Sequence, residues 1–438
     1  MSHFQRVLIL GTGPASIQLA VNFNNDLNCD VGIAGRESVR SESFYEAMKQ
    51  SNHQIRVSIQ NEKHQSIKGE CVVNWVFKGY ETVAGEWDAI IFSVTADAYI
   101  DVLKQIDDKV LKHVKCIVLV SPTFGSNSLI AHYLNTIRSN AEVISFSTYY
   151  GDTRWMCDEP SNEVLTTGVK KKIFIGSTNY PSENIDTLSK LFEKLGIALE
   201  VMKSPIEAET RNISLYVHPP LFMNDFSLQA IFGDTDTKKY VYKLFPEGPI
   251  TQHLIRDMLA QWKEIMAILK KINIKSINLL KFMTDDNYPL RLESLSRYDI
   301  ENFNNLKPIH QEYLLYIRYA SLLIDPFSEP DQEGRYFDFS AVPIRTIFVN
   351  REGYLDIPRM PKEDYYRIKI LQGIANHLNV DCPTINKFIQ TYERKIEAVA
   401  QSQQNGKLSD AFAVQSFDED LKMICGELGQ SEETKSLY

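Results

Sequence analysis

Apolar and polar positions follow two different rhythms along this chain. In the first half, short apolar runs rich in branched residues alternate with helically spaced ones. Arg6–Leu10, Cys29–Gly35, Trp87–Val94, Cys116–Val120 and Glu142–Phe146 read as buried strands. Ile17, Leu19, Ala20 and Phe23, and later Leu129 to Ile137, repeat at helical spacing between them. Gln54–Ile59 and Gly69–Val76 alternate residue by residue and predict two half-buried strands. Strands near Val169–Ile175 and at Ala198–Val201, separated by a Thr187–Leu195 helix that Gly196 ends, complete this half. From about Glu207 helical periods dominate. Thr251 is placed to cap a helix with Leu254, Met258, Trp262, Met266 and Leu269 on one face. Further helices are expected at Gln311–Leu323, Glu363–His377 and Thr384–Ala398, and a mobile tail from Gly429 to Tyr438. The pattern predicts an α/β chain. Residues 1–205 form a Rossmann-like, doubly wound sheet, and residues 206–438 form a mainly helical catalytic domain.

The first strand ends on Gly11-Thr12-Gly13-Pro14-Ala15-Ser16, and a helix begins at once. This is the strand–turn–helix setting of a dinucleotide site. Gly11 allows the tight turn, Gly13 lets the backbone approach a pyrophosphate, and the helix N-terminus favours negative charge. Ser16, small enough for close helix–strand packing, replaces the third glycine. After the second strand, an enzyme that binds NAD or FAD usually offers an acid to the ribose hydroxyls. This chain offers Arg36 and Arg40, with Ser38 and Ser41 beside them and Glu37 as the one acid nearby. Guanidinium groups match a 2′-phosphate in shape and charge, so the expected cofactor is NADPH. Three later strands run into Thr95-Ala96-Asp97, Ser121-Pro122-Thr123 and Ser147–Arg154, small polar loops expected to line one ligand-binding edge.

Composition narrows the classes. A chain of 438 residues, 44% apolar and 24% charged, can bury two cores. A net charge of −9 without a basic stripe argues against nucleic acid. No uncharged apolar stretch reaches the ~18 residues of a membrane span, and the N-terminus lacks a signal-peptide pattern. Six dispersed cysteines without C-x-x-C suit a reducing cytoplasm and give no zinc motif.

The second informative stretch is Ser214-Leu215-Tyr216-Val217-His218-Pro219-Pro220. A helical pattern runs into His218, and the two prolines are expected to stop it there. An imidazole held at a rigid helix end suits proton transfer near neutral pH; a buried structural histidine is the plainer reading.

Together, Gly-Thr-Gly-Pro at 11–14, Thr-Ala-Asp-Ala-Tyr at 95–99, Ser-Pro-Thr-Phe-Gly-Ser at 121–126, the 145–154 and 214–227 stretches, Val241–Ile250, Leu323–Ser328 and Ile357–Pro361 resemble the opine metallophore dehydrogenases. The resemblance covers nearly the whole chain apart from its last few dozen residues. It implies an NADPH-dependent reductive condensation. An amine on a histidine–aminobutyrate intermediate, made by a nicotianamine-synthase-like partner enzyme, joins a 2-oxo acid to give a secreted chelator of nickel, cobalt, zinc or copper. It assigns His218 as acid/base, Asp152 to the substrate pocket, and Arg36 and Arg40 to the 2′-phosphate. It also implies a homodimer, and the metal belongs to the product, with none in the enzyme. The oxo-acid carboxylate needs a cation, for which Arg154, Arg211 and Lys243 are candidates; pyruvate is favoured over 2-oxoglutarate.

Two rival readings remain from the residues. A flavin-dependent amine hydroxylase shares G-x-G-P-x-S, but needs an acid after the second strand and a second glycine motif. A non-enzymatic NADPH-sensing regulator would keep the nucleotide fold without the chemistry.

Overall fold

The computed structural model describes residues 4–435, apart from 234–236, 288–289, 292, 326–327 and 403–405. Pro326 and Phe327 of the Leu323–Ser328 motif therefore lie outside the described residues. The chain divides into two compact units, 1–212 together with 422–438, and 213–421.

The first unit is built on an eight-stranded sheet. Its strand order is Ala198–Val201, Lys172–Ser177, Glu142–Phe146, Cys116–Leu119, Ala89–Phe92, Arg6–Leu10, Asp30–Gly35 and Trp75–Lys78. The last six run parallel, while Lys172–Ser177 pairs antiparallel with Glu142–Phe146. Chain order reverses between Arg6–Leu10 and Ala89–Phe92, the switch point of a Rossmann sheet. Val7–Leu10, Ala89–Phe92 and Cys116–Leu119 are buried throughout, as expected of strands covered on both faces.

A second sheet, in the order Gly69–Val72, Gln54–Ile59, Glu163–Val169 and Gly151–Trp155, departs from the expectation in two ways. The alternating stretch from Gly69 to Val76 is two strands that belong to different sheets: Asn74 turns the chain, its Oδ1 accepting from Val31 N at 2.9 Å. The polar segment after Tyr150, expected as a loop, is a strand paired antiparallel to Glu163–Val169. A buried polar chain ties this sheet to the first helix, Pro14–Leu27. Gln18 Nε2 donates to Asn22 Oδ1 and Ile67 O, and Thr166 Oγ1 donates to Gln18 Oε1 at 2.6 Å. Polar side chains hydrogen-bonded in this way carry no apolar periodicity, so the pairing was invisible to a pattern reading.

The second unit is mainly helical. Thr251 caps the Gln252–Lys271 helix by accepting from Leu254 N, and Leu254, Met258, Trp262 and Leu269 are buried. Pro308–Ala320, Arg359–His377 and Pro383–Ser402 are the other long helices of this unit. Residues 418–435 are helical; of the Gly429–Tyr438 tail expected to be mobile, 436–438 lie outside the described residues. Part of this helix, from 422 on, belongs with the first unit: Ile424 is buried, and Glu427 Oε1 lies 3.3 Å from His132 Nδ1. No helix among the described residues is long and apolar enough to cross a membrane.

Candidate active site

At the cofactor edge, Gly11 has φ +126°, and its N–H donates to Ala34 O at 2.7 Å. A Cβ there would stand 3.1 Å from Ser93 O, so the turn needs glycine. A Cβ on Gly13, by contrast, would meet nothing within 4 Å. Gly13 is the N-cap of Pro14–Leu27, whose first turn holds no acid and whose cap carries no side-chain bond. The helix N-terminus is thus open to an anion, and Thr12, Pro14 and Ala15 are half-buried around it. Ser16 is fully buried, in keeping with a close-packing role.

Arg36 and Arg40 are exposed after the second strand, Arg40 in the first turn of Val39–Gln50. Arg36 has no carboxylate partner among the described residues. Glu37, the acid that could have favoured a ribose hydroxyl, is drawn to Lys78 (Oε1 to Nζ, 3.3 Å), which also holds Glu42 at 2.8 Å. The surface left at this strand end is therefore basic, and it fits a 2′-phosphate. Thr95, Ala96 and Asp97 follow the Ala89–Phe92 strand, with Thr95 and Asp97 exposed on a single 3₁₀ turn. Pro122 is buried, so Ser121 is the more open residue of that loop.

Asp152 and Arg154 occupy exposed positions on the Gly151–Trp155 strand, where loop positions were expected. Asp152 Oδ2 accepts from Thr167 Oγ1 at 2.6 Å. The Arg211 guanidinium lies 5.6 Å from the Phe174 ring centroid, and its Nε is buried without a hydrogen-bond partner.

The second unit holds His218, on the Ser214–Phe222 helix. The prolines do not stop this helix; both lie inside it, against the expectation. Without N–H groups, Pro219 and Pro220 leave the carbonyls of Leu215 and Tyr216 without their helical donors. The buried amide of Gln261 supplies one instead, Nε2 reaching Leu215 O at 3.0 Å and Tyr216 O at 3.5 Å. The helix so held presents an imidazole 16% exposed. Its Nδ1 lies 3.4 Å from Asp364 Oδ1, within ion-pair reach but not aligned as a hydrogen bond, and its Nε2 lies 3.3 Å from Ser214 Oγ. The Phe222 ring packs edge-on against it at 5.3 Å. Asp364 is fully buried and also bonds Arg367, whose second arm reaches Glu363 at 3.2 Å. Burial and the Asp364 charge push the Tyr242 hydroxyl up, with Arg318 opposing.

Lys243 is not part of this group. It pairs with Glu247 at 2.9 Å and Asp338 at 3.1 Å, so two carboxylates already match its charge. It is the weakest of the three cations considered for an oxo-acid carboxylate. Asp364, Arg367 and Gln261 escaped the sequence reading because each lies on an ordinary amphipathic helix. Only the Glu363/Asp364–Arg367 spacing of three and four residues hinted at a pair. Among the described residues no group of three or more His, Cys, Asp or Glu is placed to hold a metal.

A Rossmann edge with an open helix N-terminus and a basic second-strand end suits a phosphorylated dinucleotide, the cofactor class of nicotinamide-dependent oxidoreductases. The family model for staphylopine dehydrogenase matches residues 5–428, and the chain belongs to that family. It is 48% identical over 421 residues to the staphylopine synthase of Staphylococcus aureus (strain Mu50 / ATCC 700699), covering 96% of this chain and 97% of that one. It is 32% identical over 390 residues to the pseudopaline synthase of Pseudomonas aeruginosa (strain UCBPP-PA14), covering 89% of each. A solved yersinopine dehydrogenase with NADP+ bound superposes with a TM-score of 0.91 at 28% identity, covering 98% of this chain and all of that one. The protein is an opine metallophore synthase, an NADP-dependent oxidoreductase acting on a CH–NH bond.

Proposed function

We propose that this enzyme condenses the amine of a histidine–aminobutyrate intermediate with the carbonyl of a 2-oxo acid, pyruvate before 2-oxoglutarate, and reduces the resulting imine. The amine comes from a nicotianamine-synthase-like enzyme, and the product is a staphylopine-like chelator. Gly11 to Ala15, Arg36, Arg40 and Thr95 to Asp97 are the residues that would hold the cofactor. Bound NADPH supplies the hydride that converts the C=N bond to CH–NH.

The observation that carries the reading is His218 with a buried carboxylate beside one ring nitrogen. Condensation requires the amine to lose a proton and the departing water to gain one. An imidazole can do both, contributing on the order of 10²–10⁴ in rate. Asp364, facing Nδ1, favours the tautomer with its proton on that nitrogen and leaves Nε2 as the nitrogen that exchanges a proton. Asp152, an exposed acid, would pair with a cationic group of the amine substrate. Arg154 and Arg211 are the two remaining cations for the oxo-acid carboxylate.

The test is NADPH oxidation followed at 340 nm, crossing both oxo acids with the D- and L-histidine forms of the amine. Turnover is expected with pyruvate and one enantiomer; no oxidation in any combination would reject the reading. The His218→Ala variant is expected to bind NADPH as the parent does and to lose turnover on the order of 10²–10⁴-fold.

A further inference from the structure

The proposed chemistry leaves several buried carboxylates unused, Glu142, Glu209 and Asp356 among them. Glu209, fully buried at the end of the short Pro205–Glu209 helix, faces only donors. Its Oε1 accepts from Asn127 N at 2.7 Å and Ser145 Oγ at 2.8 Å. Its Oε2 accepts from Gly125 N at 2.9 Å and Asn127 Nδ2 at 3.0 Å. Each oxygen thus takes one backbone N–H and one side-chain donor. The hydroxyl and the amide could turn; the two backbone N–H groups cannot. A glutamine here would therefore set its own NH2 against a backbone N–H whichever way it was flipped.

The clamped segment is the Pro122–Gly125 turn, where Gly125 has φ +88° and opens the Ser126–Thr136 helix. Its place on the dinucleotide follows from the strand order. The pyrophosphate belongs at Gly11–Gly13, and the 2′-phosphate belongs beyond Asp30–Gly35, where Arg36 and Arg40 stand. The other half of the dinucleotide must then run the opposite way, over the ends of Ala89–Phe92 and Cys116–Leu119. The Pro122–Gly125 turn follows the second of these strands. Gly176 makes the arrangement possible: a Cβ there would run into the Ser204 carbonyl, so only glycine lets the Ser204–Pro205 backbone lie on the sheet.

We propose that Glu209 is a positioning residue for the nicotinamide half of the cofactor, acting through the backbone of Gly125 and Asn127. The inference rests on the NADP-dependent reading of the fold and not on the identity of the amine or oxo acid.

Binding of NADPH is compared with binding of 2′,5′-ADP, which keeps the 2′-phosphate half and lacks nicotinamide, by calorimetry on the full chain. Amide exchange at Gly125 and Asn127 is followed without ligand. For Glu209→Gln, NADPH affinity is expected to fall about tenfold, with 2′,5′-ADP unchanged and exchange at both amides faster. Asn127→Ala removes one of the four donors and keeps the backbone. It is expected to weaken NADPH about threefold with the same selectivity, and it carries the comparison should Glu209→Gln fail to fold. Equal losses for both ligands, or no loss for either, would overturn the proposal.

Discussion

In the proposed mechanism, the proton chemistry of His218 leans on Asp364. It is buried, and it serves Arg367 as well as the imidazole. Asp364→Asn keeps the shape but removes the charge. It is expected to lower kcat on the order of 10²-fold while leaving NADPH affinity unchanged, read by steady-state kinetics beside calorimetry. It also leaves Arg367 with Glu363 alone. A loss toward the lower end of about 3–5 kcal/mol is expected in urea unfolding. Glu209 makes a pH-dependent contribution of the opposite kind. Burial pushes its carboxyl from 4.5 up to about 7 against its four donors. A carboxyl whose pKa is higher folded than unfolded takes up a proton on folding between those two values. Its contribution to stability therefore grows as pH falls through 7 and levels off below 4.5. From pH 8 to pH 6, unfolding free energy is expected to rise by roughly 1 kcal/mol relative to Glu209→Gln. Urea titrations of both proteins at the two pH values check this. None of these partners was legible in the chain, because a buried acid on a helix looks like any other until its neighbours are known.

Among the elements, the Ser214–Phe222 helix survives two internal prolines because a side chain from the Gln252–Lys271 helix caps its orphaned carbonyls. Gln261→Leu removes that donor and buries two unsatisfied acceptors. A loss of about 2–4 kcal/mol is expected, with a lowered Tm and a larger fall in kcat than in NADPH affinity. A small effect on all three would show that the carbonyls find another donor. The end of the second strand is the other element with a sharp consequence. Glu37 is committed to Lys78, so Arg36 sets the charge there. Arg36→Asp is expected to weaken NADPH at least about tenfold and to spare NADH, measured by fluorescence titration of both nucleotides. The strands and helices of the first unit's main sheet, and the glycine turn, were readable from periodicity. Of the second sheet, Gln54–Ile59 and Gly69–Val72 were readable from alternation; Gly151–Trp155 and Glu163–Val169 were not, because Thr153 and Thr166, bonded to each other and on to Gln18 of the first helix, are polar positions that carry no apolar rhythm.

At the scale of the whole molecule, the chain passes between its two units twice, near 212 and again near 421. The expected boundary near 205 is displaced because Pro205–Glu209 is tied into the first unit through Glu209. Residues 422 to 435 belong to that same unit, with Ile424 buried and Glu427 reaching His132 and Asn135. Ending the chain at Leu421 is expected to destabilise the first unit by about 1.5–3 kcal/mol, the worth of one buried isoleucine, with saturating NADPH restoring part of the lost Tm. A thermal melt with and without cofactor reads this directly. Local sequence by itself determined the Rossmann half, the open glycine turn, the basic end of the second strand, the capped helices and His218 as the candidate imidazole. Each of these follows from residues within a few positions of one another, where steric and hydrogen-bonding preferences act. Tertiary structure alone decided which carboxylate faces His218, what relieves Pro219 and Pro220, where Asp152 and Arg154 stand, and what holds the turn before Ser126. Those partners lie tens to more than a hundred residues apart, and burial of a polar group sets a demand for a partner without naming which distant side chain meets it.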